Sequence, residues 1–456
     1  MSGAPRTRGG LEVRAGRVDF TRRVYLPVQE FIQTEWIGSV LLLAAAVLAV
    51  LWANSPWADA YHHLWETELG VDLALFSLRE DLHHWVNDGL MAVFFFVVGL
   101  EIKRELLRGN LSTPRAAAFP AVAALGGMVV PAAVYLALNP ALPGARGWAI
   151  PMATDIAFAL GVLGLLGRRA PTELRVFVLA LAVVDDLGAI VVIALFYTDQ
   201  VAPGALATAA VLLAVLVAMR TLGVRAVLAY ALVGFLFWAA VLESGVHATL
   251  AGVILAALTP ARALVAPGEF GDVAPALLAQ TVSAQAEHDH DAAEAGLGRI
   301  EELVVGTESP LERMERKVHP WSSYVVLPLF ALANAGVELD AAALAGAAAS
   351  PVTLGVILGL VGGKLAGVFL ASFAAVKAGV TELPPHVGWR HLLGAGALAG
   401  IGFTVSLFIT ELAFDAPEMV ARAKMGVIGA SLAAGVAGYL LLRTAPPPPE
   451  DEAGGS

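Results

Sequence analysis

The sequence predicts an all-α polytopic membrane protein that crosses the bilayer about twelve times. Apolar residues make up 58% of the 456 residues, charged residues make up only 15%, and the mean hydropathy is +0.74. A soluble chain of this length could not bury so much apolar surface, so a bilayer is the expected solvent. Twelve apolar stretches and an alternation of basic loops indicate the same class.

A window of about 19 residues finds twelve stretches that are suitable as membrane spans. They lie near residues 32–53, 84–100, 117–138, 148–166, 174–196, 203–219, 225–241, 246–258, 322–337, 352–376, 391–413 and 424–442. The eighth is short for a full crossing, which indicates a tilted, re-entrant or shielded segment. The spans form two blocks, eight within residues 31–261 and four within residues 309–443.

Cationic residues recur in every second loop. The tail 1–30 is basic, and the later basic loops contain Lys103, Arg104, Arg108 and Arg115; Arg168 and Arg169; Arg220 and Arg225; Arg313, Arg316 and Lys317; and Lys377 and Arg390. The loops between them contain few cations. Because short basic loops stay on the cytoplasmic side, both termini are expected in the cytoplasm.

Two segments outside the spans are expected to be disordered. Residues 262–308 form an acidic cytoplasmic insert, and residues 444–456 form an acidic C-terminal tail that begins with a proline run. The insert contains His288 and His290 among acidic residues, but a solvated linker is favoured over a metal site. The chain has no cysteine, which excludes disulfides and thiolate metal sites, and its net charge of −11 argues against nucleic acid as a partner.

Four ionisable residues lie near the middle of predicted spans: Asp155, Asp185, Asp186 and Lys364. A charge at the bilayer centre costs about 2.5–3.5 kcal/mol even on insertion scales, so these residues are functional candidates. A purely structural ion pair would use one carboxylate and leave two others to be protonated or hydrated. Lysine also differs from arginine in that it can lose its proton when it is buried.

Helix breakers lie close to these charges. Pro151 precedes Asp155 by four residues, and Gly400 and Gly402 interrupt the eleventh span. Both spans are therefore predicted to be broken helices, which transporters use to build ion sites. The spacing of Gly355, Gly359, Gly363 and Gly367 instead indicates close helix packing.

The chain resembles the NhaA family of bacterial sodium/proton antiporters over residues 30–443. The resemblance is carried by the runs at 153–160 (ATDIAFAL), 184–190 (VDDLGAI), 245–252 (GVHATLAG) and 329–336 (LFALANAG), together with Asn87-Asp88, the run EIKRE at 101–105 and Gly363-Lys364. It implies twelve helices with inverted repeats, in which the fourth and eleventh spans cross as broken helices near the midplane.

The resemblance also implies roles for individual residues. Asp185 and Asp186 would bind Na⁺ and carry protons, with Thr154 and Asp155 beside them and Lys364 as charge partner. Asp155 and Lys364 would offset the dipole ends of the broken helices. The pH response would lie at the ends of the second and ninth spans, at Glu101, Lys103, Arg104, Glu105, Glu315, Arg316 and His319. Arg316 stands where some members have histidine, and the insert lengthens a loop that is normally short.

The implied function is secondary antiport that extrudes Na⁺ or Li⁺ in exchange for inward protons. The resemblance implies electrogenic, pH-regulated exchange by a homodimer in the bacterial inner membrane, without a cofactor. Two alternatives come from the residues themselves. A sodium-coupled symporter would be expected to need a larger pocket for its solute. An intramembrane aspartyl protease could pair Asp155 with Asp185 or Asp186, but the adjacent Asp185 and Asp186 cannot form a facing catalytic dyad, so a transporter rather than an enzyme is expected.

Overall fold

The computed structural model describes residues 35–446, except for 74–75, 110, 199–200, 225–226, 264 and 266. The predicted basic tail 1–30 and most of the predicted C-terminal tail lie outside the described residues. The helices in chain order are α1 (Glu35–Ala53), α2 (Ala58–Trp65), α3 (Leu82–Leu107), α4 (Pro114–Leu138), α5 (Ile156–Leu166), α6 (Thr172–Phe196), α7 (Pro203–Thr221), α8 (Val227–Glu243), α9 (Thr249–Leu258), α10 (Pro267–Ala286), α11 (His290–Thr307), α12 (310–334), α13 (Ala341–Ala349), α14 (Pro351–Lys377), α15 (Trp389–Ala399), α16 (Phe403–Ala413) and α17 (Pro417–Arg443).

The predicted class of all-α membrane protein is confirmed. Within the described residues, seven helical segments are long and apolar enough to cross a membrane, and two bent pairs pass the same test when each pair is taken together. The remaining predicted spans correspond to the short apolar helices α8 and α9 and to α12, which contains a π-helical turn at Ser322–Val326. The ten residues of α9 would reach only about 15 Å, half of a hydrocarbon core, so this helix is shielded by its neighbours.

A β-hairpin is one exception to the all-α prediction. Strand β1 (Glu68–Leu73) pairs antiparallel with strand β2 (Phe76–Asp81), and Glu68 lies opposite Asp81. The sequence analysis predicts no strand in this loop. Its apolar residues alternate with polar ones at Leu69, Val71 and Leu73, which is the period of a strand.

The prediction of a disordered insert at 262–308 is wrong for most of its length. Helices α10 and α11 occupy this segment and pack against each other, with Thr281 buried against Gly296. Asp289 caps the start of α11 by accepting a hydrogen bond from the backbone N–H of Ala292. An acidic composition suggested disorder, but alanine-rich segments also have high helix propensity, and here a cap and a partner helix stabilise them.

The two predicted breaks are present and touch each other. The fourth span consists of a 3₁₀ segment, Gly144–Met152, an extended stretch at 153–155, and α5. The eleventh span is divided between α15 and α16, with a bend of 43°. The backbone N–H of Asp155 donates a hydrogen bond to the carbonyl of Ile401 at 2.6 Å. Pro151 and the glycines at 400 and 402 explain the breaks, because they weaken continuous helical hydrogen bonding.

The glycine stripe of α14 lets this helix approach the first break closely. A Cβ atom at Gly363 would lie 2.9 Å from the Cα atom of Pro131 on α4, and one at Gly359 would lie 2.7 Å from Cβ of Pro151. Larger residues at these two glycine positions would therefore push α14 away from α4 and from the 3₁₀ segment that contains Pro151. The packing interpretation of this stripe is correct, and it sets the position of Lys364, the residue that follows Gly363.

Candidate functional site

Five residues predicted for the ion site occupy one buried region at the crossing of the two breaks. Thr154 and Asp155 lie on the first break, Asp185 and Asp186 on α6, and Lys364 on α14. Each of these residues is at most 2% exposed. Because neither water nor lipid reaches these groups freely, their charges must be balanced by one another, by protons or by a bound cation.

Asp185 and Lys364 form a fully buried ion pair. The ammonium Nζ lies 2.6 Å from Oδ2 of Asp185, and it also donates a hydrogen bond to the backbone carbonyl of Met152. That carbonyl lies at the end of the 3₁₀ segment before the break, where backbone acceptors are left unpaired. The lysine therefore balances one carboxylate and one helix end.

Thr154 connects this pair to the second broken span. Its hydroxyl lies 2.7 Å from Oδ2 of Asp185 and 2.9 Å from the carbonyl of Ala399, near the end of α15. A hydroxyl has one proton, so it can donate to only one of these acceptors at a time. The other acceptor is then available to a cation, since carboxylate, hydroxyl and unwound backbone carbonyl oxygens are the ligands used for Na⁺ in transporters.

Asp155 has a different set of partners. Its Oδ1 accepts a hydrogen bond from the backbone N–H of Phe158 at 3.1 Å, and its Oδ2 accepts two from Thr404, at 3.1 Å from the N–H and 2.6 Å from the hydroxyl. The carboxylate therefore caps the starts of both α5 and α16, where helix dipoles favour a negative charge. Thr404 was not among the predicted site residues. Its position two residues after Gly402 was the only signal for it.

Asp186 differs from its neighbour in having no hydrogen-bonded cation. Within the described residues, its Oδ1 is buried without a hydrogen-bond partner, and the same holds for Oδ1 of Asp185. The charges that act on Asp186 are those of Asp185, Glu101, Asp155 and Lys364. If the three aspartates and the lysine were all ionised, this region would have a net charge of −2. We expect a bound cation or an added proton to neutralise part of this charge.

The ligands that the site offers to a cation are hard oxygen atoms. Among the described residues, no group of three or more His, Cys, Asp or Glu side chains is arranged to hold a metal ion. The two aspartates and the threonine hydroxyl instead supply a small number of hard oxygen ligands. Such a set suits an ion that must be released.

Five of the seven predicted pH-response residues form a cluster between α3 and the start of α12. Arg104 pairs with Glu315 and lies 3.2 Å from Oε1 of Glu105, and Nε2 of His319 lies 3.6 Å from Oε1 of Glu101.

Two of the seven residues have other partners. Lys103 donates hydrogen bonds to the carbonyls of Ala257 and Thr259 at the end of α9, at 2.6 and 2.5 Å. Arg316 is bound to Glu308 at 2.5 Å. Since Glu308 ends the insert that contains α10 and α11, Arg316 joins that insert to α12.

Two acids of this cluster are buried, Glu105 on α3 and Glu315 on the part of α12 that precedes its apolar stretch. Burial raises the pKa of the Glu315 carboxyl, and the Arg104 guanidinium acts in the opposite direction. The neighbouring Glu312 is more exposed, and its hydrogen bond with the Ser309 side chain lowers its pKa. The pKa values of two glutamates on one helix turn are thus shifted in opposite directions.

Comparison with known proteins gives one consistent result. The family model described as Na⁺/H⁺ antiporter 1 matches residues 29–442. The chain is 46% identical over 422 residues to the Na⁺/H⁺ antiporter NhaA 2 of Syntrophotalea carbinolica, covering 92% of this chain and 96% of that protein. It is 47% identical over 430 residues to the Na⁺/H⁺ antiporter NhaA of Acidithiobacillus ferrooxidans, covering 91% and 97% of the two chains. A similar protein from Oleidesulfovibrio alaskensis is 46% identical over 430 residues, covering 92% and 94%.

Proposed function

The chain belongs to the Na⁺/H⁺ antiporter 1 family, and we propose that sodium and protons compete for Asp185 and Asp186 in its buried site. The protein is a secondary transporter, not an enzyme, and it exchanges Na⁺ for H⁺ across the membrane in which its helices lie. The observation that supports the competition is the buried pair of Asp185 and Lys364, next to the carboxylate of Asp186, which has no hydrogen-bonded cation among the described residues.

Exchange follows if the site is occupied by one substrate at a time. Sodium that reaches the two aspartates would take over from the Lys364 ammonium as the counter-charge of Asp185. The lysine can then release one of its three N–H protons to water, which leaves a neutral amine. When protons return to the lysine and the carboxylates, the attraction for sodium falls and the ion leaves. Alternating access on the two sides of the membrane turns this competition into antiport.

More than one proton can be coupled to each sodium. Asp185, Asp186 and Lys364 offer three titratable positions for one cation, so an exchange of two protons for one sodium would move net charge. Each net charge that crosses couples to the membrane potential by about 2.3 kcal/mol per 100 mV. We therefore propose electrogenic exchange that extrudes Na⁺ or Li⁺, in an inner membrane, by a homodimer with both termini in the cytoplasm.

The alternative functions are less compatible with the site. The family assignment supports an antiporter rather than a sodium-coupled symporter. For a protease, Asp155 and Asp185 would need to share a water molecule and a proton. Here Asp155 is bonded to Thr404 and Asp185 to Lys364 and Thr154. Neither carboxylate is directed at the other in the way that an aspartyl dyad requires.

The competition is tested by the pH dependence of the sodium KM. Purified protein in proteoliposomes is assayed for the initial rate of sodium-dependent proton flux, with sodium varied at each of several pH values. If the ions share the aspartates, acidification should raise the KM, by up to about tenfold per pH unit for each carboxylate that must lose a proton. A KM that stays constant or falls as the pH drops would contradict a shared site and favour symport through separate sites.

A further inference from the structure

A cavity with two arginines lies between the ends of α5 and α17, away from the ion site. It has a volume of about 340 Å³ and is lined by Leu165, Leu166, Arg169, Tyr439 and Arg443. The two helix ends are joined there, because Nη1 of Arg169 donates a hydrogen bond to the backbone carbonyl of Arg443 at 2.9 Å. The alternation of basic loops assigns this end of both helices to the cytoplasmic side.

The two guanidinium groups have no acidic partner. Within the described part of the chain, neither Arg169 nor Arg443 forms an ion pair with a carboxylate. Other arginines of the same chain are paired, for example Arg108 with Glu312 at 2.9 Å and Arg316 with Glu308 at 2.5 Å. Two guanidiniums at one cavity, neither paired with a carboxylate of the described residues, form an attractive site for an anion with several oxygen atoms, such as a phosphate group.

An apolar stripe on α17 leads away from this cavity. Leu432, Val436 and Leu440 follow one another at helical spacing and are 70%, 53% and 53% exposed. Arg443 lies on the same face as Leu432, since eleven residues make slightly more than three full turns. The distance along the helix from Leu432 to Arg443 is about 16 Å, which is close to the depth of one leaflet of a hydrocarbon core of about 30 Å. Leu165, which is 77% exposed, adds to the apolar surface beside the cavity.

We propose that this cavity binds the phosphate headgroup of an anionic phospholipid, whose acyl chain lies along the stripe of α17. A charged headgroup would match the arginines, and a chain one leaflet long would match the exposed leucines and valine. Tyr439 lies where the two regions meet, and an amphipathic ring is suited to a membrane interface. Basic pockets between membrane helices on the cytoplasmic side are used for such headgroups. A soluble phosphate could satisfy the arginines but would leave the apolar stripe unexplained.

The bound lipid would connect two parts of the transporter. α5 begins directly after Asp155, and α17 packs against both α5 and the broken span of α15 and α16. A headgroup that contacts Arg169 and Arg443 would hold the ends of α5 and α17 together more firmly than the single Arg169 hydrogen bond does. The lipid is therefore expected to raise the resistance of the protein to heat.

The proposal is tested by lipid titration of the full-length protein in a neutral detergent. Phosphatidylglycerol, phosphatidylcholine and free glycerol 3-phosphate are added separately. Native mass spectrometry counts the bound lipids and gives apparent Kd values, and the midpoint of heat denaturation is measured in parallel. Phosphatidylglycerol should bind and raise the midpoint, whereas phosphatidylcholine and glycerol 3-phosphate should do neither at the same concentration.

Substitutions locate the site. R169Q/R443Q should weaken phosphatidylglycerol binding roughly thirtyfold, from about 1 kcal/mol per arginine and about 1.4 kcal/mol per tenfold change. R443Q alone keeps the hydrogen bond from Arg169 to the backbone of residue 443, and it should weaken binding roughly fivefold without loss of fold. R220Q is the matched control, because Arg220 is also exposed in the last turn of a helix assigned to the same side, and it should bind as the unaltered protein does.

Three results would overturn the proposal. One is equal phosphatidylglycerol affinity in the unaltered protein and in R443Q and R169Q/R443Q. The second is equal binding and stabilisation by phosphatidylcholine, which would show that the arginines do not select the headgroup. The third is full stabilisation by glycerol 3-phosphate alone, which would identify a site for a soluble phosphate instead of a lipid.

Discussion

Replacement of Lys364 by methionine tests whether the buried ion pair organises the site. Methionine keeps most of the apolar stem and removes the ammonium that lies 2.6 Å from Asp185 and that also binds the carbonyl of Met152. Asp185 would then be either a buried charge without a partner or a carboxyl that has taken up a proton. Breaking a buried pair from one side costs about 3–5 kcal/mol. Lys364→Met should therefore lose about that much free energy of unfolding and should also lose exchange.

Two further variants show whether the loss of stability comes from the broken ion pair or from removing any lysine of this helix. Lys377→Met changes an exposed lysine near the end of the same helix, and its denaturation midpoint in detergent should stay close to that of the unaltered protein. Lys364→Met combined with Asp185→Asn removes both charges, so most of the stability should return while exchange remains absent. A Lys364→Met protein as heat-resistant as Lys377→Met would refute the pairing, and so would a double variant less stable than the single one.

Three other predictions concern individual side chains. Asp186→Asn should abolish sodium-dependent proton flux while the protein stays folded, because the amide keeps the shape and loses the charge that attracts the ion; near-normal flux would exclude Asp186 from the site. Thr154→Val should raise the sodium KM by about tenfold with a smaller effect on the maximal rate, since one oxygen ligand is lost; an unchanged KM would show that the hydroxyl is not a ligand. Glu315→Gln should flatten the pH profile of exchange, because it removes a carboxyl whose pKa is raised by burial and which would otherwise ionise as the pH rises. Glu312→Gln, which changes a more exposed carboxyl with a lowered pKa, should leave the profile unchanged. Identical profiles of the unaltered protein and Glu315→Gln would contradict this role.

The sequence singles out the buried ionisable residues that meet in the structure because charges inside apolar spans are conspicuous. Asp155, Asp185, Asp186 and Lys364 were found from their depth in the spans, and the breaks were found from Pro151 and the glycines near 400. Sequence could not decide which aspartate would contact Lys364. Adjacent residues point about 100° apart on a helix, and the choice depends on the rotation of α6 against α14, which only tertiary packing determines.

Contacts between distant segments were harder to predict. Thr404 binds Asp155 across 249 residues of sequence. Its position two residues after Gly402 indicates that it lies near the helix break, but it does not indicate which residue it contacts. Likewise, Glu411 on α16 and Lys424 on α17 form an ion pair at 2.5 Å that the sequence analysis did not identify, because both residues are near the ends of spans, where charges are common. The helices of the insert were missed for another reason. Its acidic composition is typical of a disordered segment, whereas its alanine content favours helix.

If sodium and protons compete for the two adjacent aspartates as we propose, the unequal environments of these aspartates would let one site serve both substrates. Asp185 is held by an ammonium and a hydroxyl, so a cation that binds it must displace a partner that already neutralises its charge. Asp186 has no such partner among the described residues, so it is the more accessible first ligand for an incoming sodium ion or proton. Sodium that bridges both carboxylates would then release the lysine, and only a lysine that can lose its proton converts this displacement into proton movement. An arginine at position 364 would keep its charge and would stay paired with Asp185. Lys364→Arg should therefore preserve much of the stability but not the exchange. Flux measured beside heat denaturation decides this point, and a Lys364→Arg protein that exchanges at the normal rate would show that the lysine proton is not part of the cycle.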